Sequence, residues 1–126
     1  MGKTKEPKAD GLIIAQPFGA QIGVFKDLDE MCEYFERVVG IKDHGFRDKR
    51  AKAMASELTD EKNTHWWAVY LPEEVDLSTI VHECSHLADM VMESHGVPLG
   101  WESTEVRAYV LQRMFEQAAD LCGFEV

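Results

Sequence analysis

The stretch HWWAVYLPEEVDLSTIVHECSHLADMVMES, residues 65–94, divides into a strand and a long helix. His65 to Leu71 is rich in aromatic and β-branched residues, and Pro72, which has no N–H to give to a ladder, ends it. Asp76 or Ser78 is placed to cap the helix that follows. From there Ile80, Val81, Cys84, Leu87, Ala88, Val91 and Met92 recur at helical spacing to about Ser94, and Gly96 and Pro98 close the run.

Other elements extend on both sides. Gly11 to Ala15 and Gln21 to Phe25 read as two strands with Pro17-Phe18-Gly19 turning between them. Asp27 starts a helix in which Leu28, Met31, Cys32, Phe35, Val38 and Val39 share a face, and Gly40 stops it. Lys42 to Lys52 is basic and irregular. Arg47-Asp48-Lys49-Arg50 within it reads as a solvated loop, with an anion contact as the alternative. Ala51 to Leu58 reads as a strand, because the polar loop from Thr59 to Thr64 leads straight into His65. A last helix covers about Ser103 to Ala119, with Val106, Val110, Met114, Ala118 and Leu121 inward. The fold class is therefore α+β: a small, mainly antiparallel sheet packed on about three helices, the last two forming a hairpin. One domain spans 11–126, after a flexible segment 1–10.

The chemistry concentrates on the helix after the aromatic strand. His82, Glu83 and His86 stand in the order H-E-x-x-H. Residues four apart on a helix lie nearly above one another, so both imidazoles point at one spot and can grip one metal ion. Glu83 is turned about 100° from His82, which sets it beside such an ion, where a carboxylate can take a proton from a water. Cys84 points away from that face and reads as a small core residue.

A hydrolytic zinc takes three protein ligands and leaves a position open. Glu105, 19 residues after His86, is the first choice for the third. The turn at Gly96 to Gly100 lets the last helix fold back, and Ala108, on the same face as Glu105, permits close approach. Tyr109 and Gln112 continue that face. Glu102 is the alternative. His95 falls on the opposite side of a continuous helix from His86. Asp89, one turn past His86, either orients an imidazole or is solvated. Tyr109, Tyr70 and His95 are the candidates for steadying an oxyanion. Trp66, Ala68 and Tyr70 alternate with Trp67, Val69 and Leu71, so that one set can face a cleft and the other the core.

Composition sets the class of partner. The chain has 126 residues, 45% of them hydrophobic and 29% charged, enough for one core. Thirteen basic against 23 acidic residues leave a net charge of −10, which disfavours nucleic acid and anionic membrane as partners. The three cysteines include no C-x-x-C pair and suit a reducing cytoplasm. No signal peptide and no membrane-length apolar run are visible.

His82-Glu83-Cys84-Ser85-His86 followed by Glu105 resembles the gluzincin branch of zinc metallopeptidases, whose thermolysin-type members use two His and one Glu. The run from Leu71-Pro72 through His82-Glu83 to Glu105-Val106-Arg107-Ala108-Tyr109 is also similar to small phage-borne proteins classed as metallopeptidases. The resemblance covers roughly residues 51–116. It implies a minimal zincin-like domain and Zn2+ on His82, His86 and Glu105, with Glu83 as general base; Tyr109, from the oxyanion candidates above, is taken as the further catalytic group. It also implies a peptide or protein substrate and, for a phage protein, action in the host cytoplasm. An edge strand that pairs with substrate is implied as well, and Trp66 to Leu71 holds that place in chain order. Gluzincins carry a second subdomain beyond this length, so a zinc-binding regulatory or interaction protein that keeps the site is the other reading.

Overall fold

The computed structural model describes residues 6–48, 51–98 and 100–125. Four strands, β1 (Gly11–Ala15), β2 (Ala20–Phe25), β3 (Met54–Thr59) and β4 (His65–Tyr70), make one sheet in the order β1-β2-β4-β3. The β1–β2 and β3–β4 pairs are antiparallel hairpins, and β2 runs parallel to β4 with Ile22 opposite Trp67 and Phe25 opposite Tyr70. The β3–β4 turn is tied by Asp60, whose Oδ1 accepts from the N–H groups of Lys62 and Thr64, both at 2.9 Å. This is the Asx chemistry that the polar loop suggests.

Helices cover both faces. On one side lie α2 (Leu77–Ser94) and α3 (Thr104–Leu121). Their Ile80, Leu87, Val91, Val110, Met114 and Ala118 pack on Ile13, Ile22, Val24 and Val69 of the sheet, all with essentially no exposure. On the other side α1 (Leu28–Glu33) and the turns after it bring Met31, Cys32, Phe35 and Phe46 against Phe25, Met54 and Ala68. Each aliphatic side chain so buried contributes about 1.5–3 kcal/mol of transfer free energy, and that drives the layering. Among the described residues, no helix is long and apolar enough to cross a membrane.

Several expectations need correction. The edge-strand role given to Trp66–Leu71 does not hold, because β4 lies between β2 and β3 and both its faces are packed. Of the two alternate sets of its side chains only Tyr70, at the strand's end, borders a described pocket, with Lys52, Pro72 and Thr79, and β3 rather than β4 takes this edge of the sheet. The helix begun at Asp27, whose Oδ1 accepts from the Asp29 and Glu30 N–H groups, does not run evenly to Val39. Tyr34–Val39 winds as a π-helix with Phe35 carbonyl accepting from Gly40 and Ile41. The wider turn rotates Val38 off the buried stripe and leaves it 42% exposed. Gly40 closes it at φ 90°, a conformation that suits glycine.

Pro7 and Asp10, just before β1, are tied to the sheet. Pro7 is buried, the Asp10 N–H bonds the Val24 carbonyl, and Asp10 Oδ2 accepts from Lys26 N–H. Residues 1–5 lie outside the described residues, as do Lys49 and Arg50 of the basic loop. Arg47 and Asp48 are exposed, as a solvated loop requires, while the residues just before them are anchored. Phe46 is buried, and His44 stacks on it at 4.6 Å. His44 Nδ1 accepts from the Phe46 N–H, so its proton sits on Nε2, which donates to Glu36 at 2.7 Å. Arg47 bridges Glu36 and Asp29. Its anion contacts are thus internal.

This network yields a pH prediction. The Arg47 guanidinium and then the His44 N–H hold the Glu36 carboxyl below its usual range. A carboxyl depressed in the folded state stabilises fully above its ordinary value, near 4.3, and its contribution is lost as pH falls through the folded value. Urea midpoints measured from pH 7 to pH 3 should therefore fall on the acid side. Glu36→Gln should lie below the parent at pH 7 and converge on it in acid. Parallel curves at all pH values would exclude this role.

Candidate metal centre

The helix α2 stands where it does because its start, its inward stripe and both flanks are fixed. Asp76 caps its start, with Oδ1 accepting from the Thr79 N–H at 2.8 Å and the Ser78 hydroxyl at 3.1 Å. Ile80, Cys84, Leu87, Ala88, Val91 and Met92 are buried. That inward stripe turns His82 and His86 to the exposed face, where the two Nε2 atoms converge to 3.2 Å with their rings nearly perpendicular, 84° apart and 4.7 Å between centroids. Without a metal this contact is an Nε2–H donating to the facing Nε2. Two nitrogens on one tetrahedral zinc, each about 2.0–2.1 Å from it, sit roughly 3.3 Å apart. The pair therefore already has the spacing of two adjacent ligands.

Glu83 borders the pair on the sheet side. It is 8% exposed, and its Oε1 accepts from the Ala55 N–H of β3 at 2.9 Å. The amide points off the sheet's free edge, so the carboxylate pins α2 to β3. The other carboxylate oxygen has no hydrogen-bond partner among the described residues. No buried side-chain oxygen there is left unpaired, so this one reaches solvent. One oxygen is committed to the fold and the other is open. Burial pushes the Cys84 thiol up to about 12, in keeping with a core residue rather than a thiolate donor.

The opposite flank is built by α3. Arg107 Nε donates to Asp89 Oδ1 at 2.7 Å, and Nη2 donates to Ser85 Oγ at 2.6 Å and to Asp89 Oδ2 at 3.4 Å. Asp89 is thus neither an orienting partner for an imidazole nor a merely solvated residue. It is half of the ion pair that ties the helical hairpin together. The pairing holds the Arg107 guanidinium above its usual range.

The remaining candidates are not gathered at the pair. Among the described residues, no group of three His, Cys, Asp or Glu side chains lies close enough to hold a metal ion. Glu105 is exposed in the first turn of α3, two residues before Arg107 and so about 200° around the helix from the face that meets α2. Glu102 is exposed on the short 3-10 turn Trp101–Ser103. Tyr109 lines a cavity beside β1 with Ile14, Gln16 and Arg113, whose guanidinium lies 5.4 Å from the ring centre. His95 is stacked between Phe18 and Trp67, and its Nδ1–H donates to the Val91 carbonyl. Tyr70 packs on the α1 side of the sheet, away from α2.

Sequence reasoning did not single out Ala55, Ser85 or Arg107. Their roles come from backbone direction at a sheet edge and from a contact across 18 and 22 residues, which no local pattern records. Glu57 was equally silent. It lies two residues beyond Ala55, on the same side of β3, and its Oε2 accepts from Trp67 Nε1 at 3.0 Å and His65 Nδ1 at 3.2 Å. Compared with known protein families, curated proteins and solved structures, the chain matches none.

Replacing Arg107 by Met should loosen the hairpin. The pair is partly exposed, 34% and 41% for the two side chains, so the cost should be about 1 kcal/mol. Arg107→Lys should recover little of it, because an ammonium cannot span Ser85 and Asp89 as a fork does. Urea unfolding of the three proteins measures this, and equal midpoints would remove Arg107 from the account.

Proposed function

We propose that this protein is a zinc-dependent peptidase, hydrolysing an amide bond in a peptide or protein with Glu83 as general base. The observation that carries the proposal is the convergence of His82 and His86 Nε2 to 3.2 Å beside a carboxylate that keeps one free oxygen. Two of the three donors that such a site needs fit. Glu105 remains the proposed third. It has no ion pair or hydrogen bond among the described residues to hold it, and because it starts on the side of α3 turned from α2, this role requires the first turn of α3 to rotate toward the pair. Glu102 is its competitor.

The chemistry such an ion supplies is Lewis acidity, which lowers the pKa of a water and polarises a carbonyl. The chain's own residues do the rest. Glu83 accepts the water's proton on its free oxygen and hands it to the leaving amine. The Ala55 N–H holds the other oxygen, so the carboxylate does not swing away as it is protonated. The free edge of β3, rather than β4, is proposed to lie alongside the substrate backbone. The charge of −10 favours neutral or cationic substrates over polyanions. Nucleic acid and membrane are not proposed partners.

Zinc titration of the purified chain should show one ion bound per chain. His82→Ala and His86→Ala should each weaken it by more than about 100-fold, since even partners outside the ligand shell are worth 10–100-fold. Of Glu105→Ala and Glu102→Ala, one should weaken it far more than the other. Glu83→Gln keeps an oxygen to accept from Ala55, so it should fold and bind zinc but lose about 10²–10⁴-fold in peptide hydrolysis. Failure to bind zinc would end the proposal. Bound zinc with hydrolysis absent, or indifferent to Glu83→Gln, would make it a zinc-binding regulatory or interaction protein.

A further inference from the structure

The second edge of the sheet is closed by a different device. In β1 the backbone groups of alternate residues point to β2 and away from it. Ile14 points away, because both its polar groups are taken by one side chain of α3. The Ile14 N–H donates to Gln117 Oε1 at 2.8 Å, and Gln117 Nε2 donates to the Ile14 carbonyl at 2.9 Å. A carboxamide has the donor and acceptor of a peptide group, and here it makes the same two-bond exchange that a residue of a neighbouring antiparallel strand would make. A further bond from Nε2 to the Arg113 carbonyl, 3.0 Å, steadies it on its own helix. The end of α3 is pressed on the start of β1. A Cβ at Gly11 would come within 2.8 Å of Leu121 Cδ2, so glycine there permits the approach that brings Gln117 within reach.

What this side chain covers is a hazard. The strand reads Gly-Leu-Ile-Ile-Ala from 11 to 15, apolar and without charge. Uncharged β-prone edges pair with other chains unless something blocks them. By alternation the Leu12 N–H and carbonyl point off the same edge as those of Ile14, and no described side chain bonds them. Leu12 itself is 55% exposed. Two such edges are self-complementary. Laid antiparallel about Ile13, Leu12 of each copy faces Ile14 of the other, and each of the two residue pairs can exchange both its bonds.

We infer that Gln117 is a latch that closes the β1 edge, and that the partner it excludes is a second copy of this chain paired through β1. The latch is intramolecular and always within reach, so it outcompetes the copy at ordinary concentrations, and the native chain is monomeric with respect to this edge. This inference is independent of the zinc site. Its test needs no activity.

Amide hydrogen exchange on the native chain should find the Ile14 N–H protected at least tenfold more than the Leu12 N–H, although both lie on an edge strand. Gln117→Ala, folded by circular dichroism, should double in mass by light scattering at concentrations where the parent is monomeric. Leu12→Pro placed in that variant should return it to monomer, because it deletes an N–H that points off the edge and leaves the β2 ladder whole. Equal exchange at Ile14 and Leu12, a folded Gln117→Ala that stays monomeric, or association that survives Leu12→Pro would each overturn the inference. Should Gln117→Ala fail to fold, the exchange rates in the native chain decide alone.

Discussion

The bond from the Ala55 N–H to the Glu83 carboxylate is the contact on which the arrangement of this protein turns. A small sheet has two edges, and each presents backbone groups that must find partners or be left to other chains. Here β3 and β1 are those edges, and each is met by an oxygen-bearing side chain from a long helix: Glu83 of α2 at β3 and Gln117 of α3 at β1. The two helices are therefore held to opposite edges, and the hydrophobic stripe between them fills the face of the sheet. The Arg107 fork closes the third side by tying α3 back to α2.

With those three ties in place, the outward face of α2 has little freedom. His82 and His86 are directed by the burial of Ile80, Cys84, Leu87 and Val91 on the other side of the same helix, not by any contact of their own. Nothing in the folding of the domain requires imidazoles there. Any pair of polar residues would satisfy solvent equally well, so the convergence of two Nε2 atoms is a feature the fold carries rather than one it needs. Glu83 is different. It serves the fold with one oxygen and presents the other to solvent.

Much of this was legible in the chain. The strand at 65–70, the capped helix at 77–94, the hairpin loop at Asp60 and the two short N-terminal strands follow from periodicity, proline and Asx chemistry, all of which act within a few residues. The order of strands did not follow, because chain order does not say whether β4 pairs on one side or two. Only the parallel pairing of β2 with β4 shows that β3 takes the edge. The π-helical turn at 34–39 was hidden because its residues have ordinary helical spacing. Phe46 and the Glu36–His44–Arg47 network fasten that turn to the rest of the chain, and such contacts leave no local pattern. The His pair and Glu83 were readable from spacing alone. The flank made by Ser85, Asp89 and Arg107 was not, since a salt bridge across a helical hairpin leaves no trace in local sequence.

The double duty of Glu83 also bears on why a glutamate stands there. An aspartate at 83 would be one methylene shorter and would strain to reach the Ala55 amide off the sheet edge. A glutamine could reach and accept, but it could not take up a proton at neutral pH. An alanine would leave the half-buried Ala55 N–H without its protein partner, a loss of about 1 kcal/mol. Reach and hydrogen bonding are demands of the fold, and both glutamate and glutamine meet them. Basicity is the further demand that the proposed hydrolytic role would add, and only glutamate meets all three. A structural role alone would tolerate either residue, so the one property that separates them is the property a hydrolytic site would use.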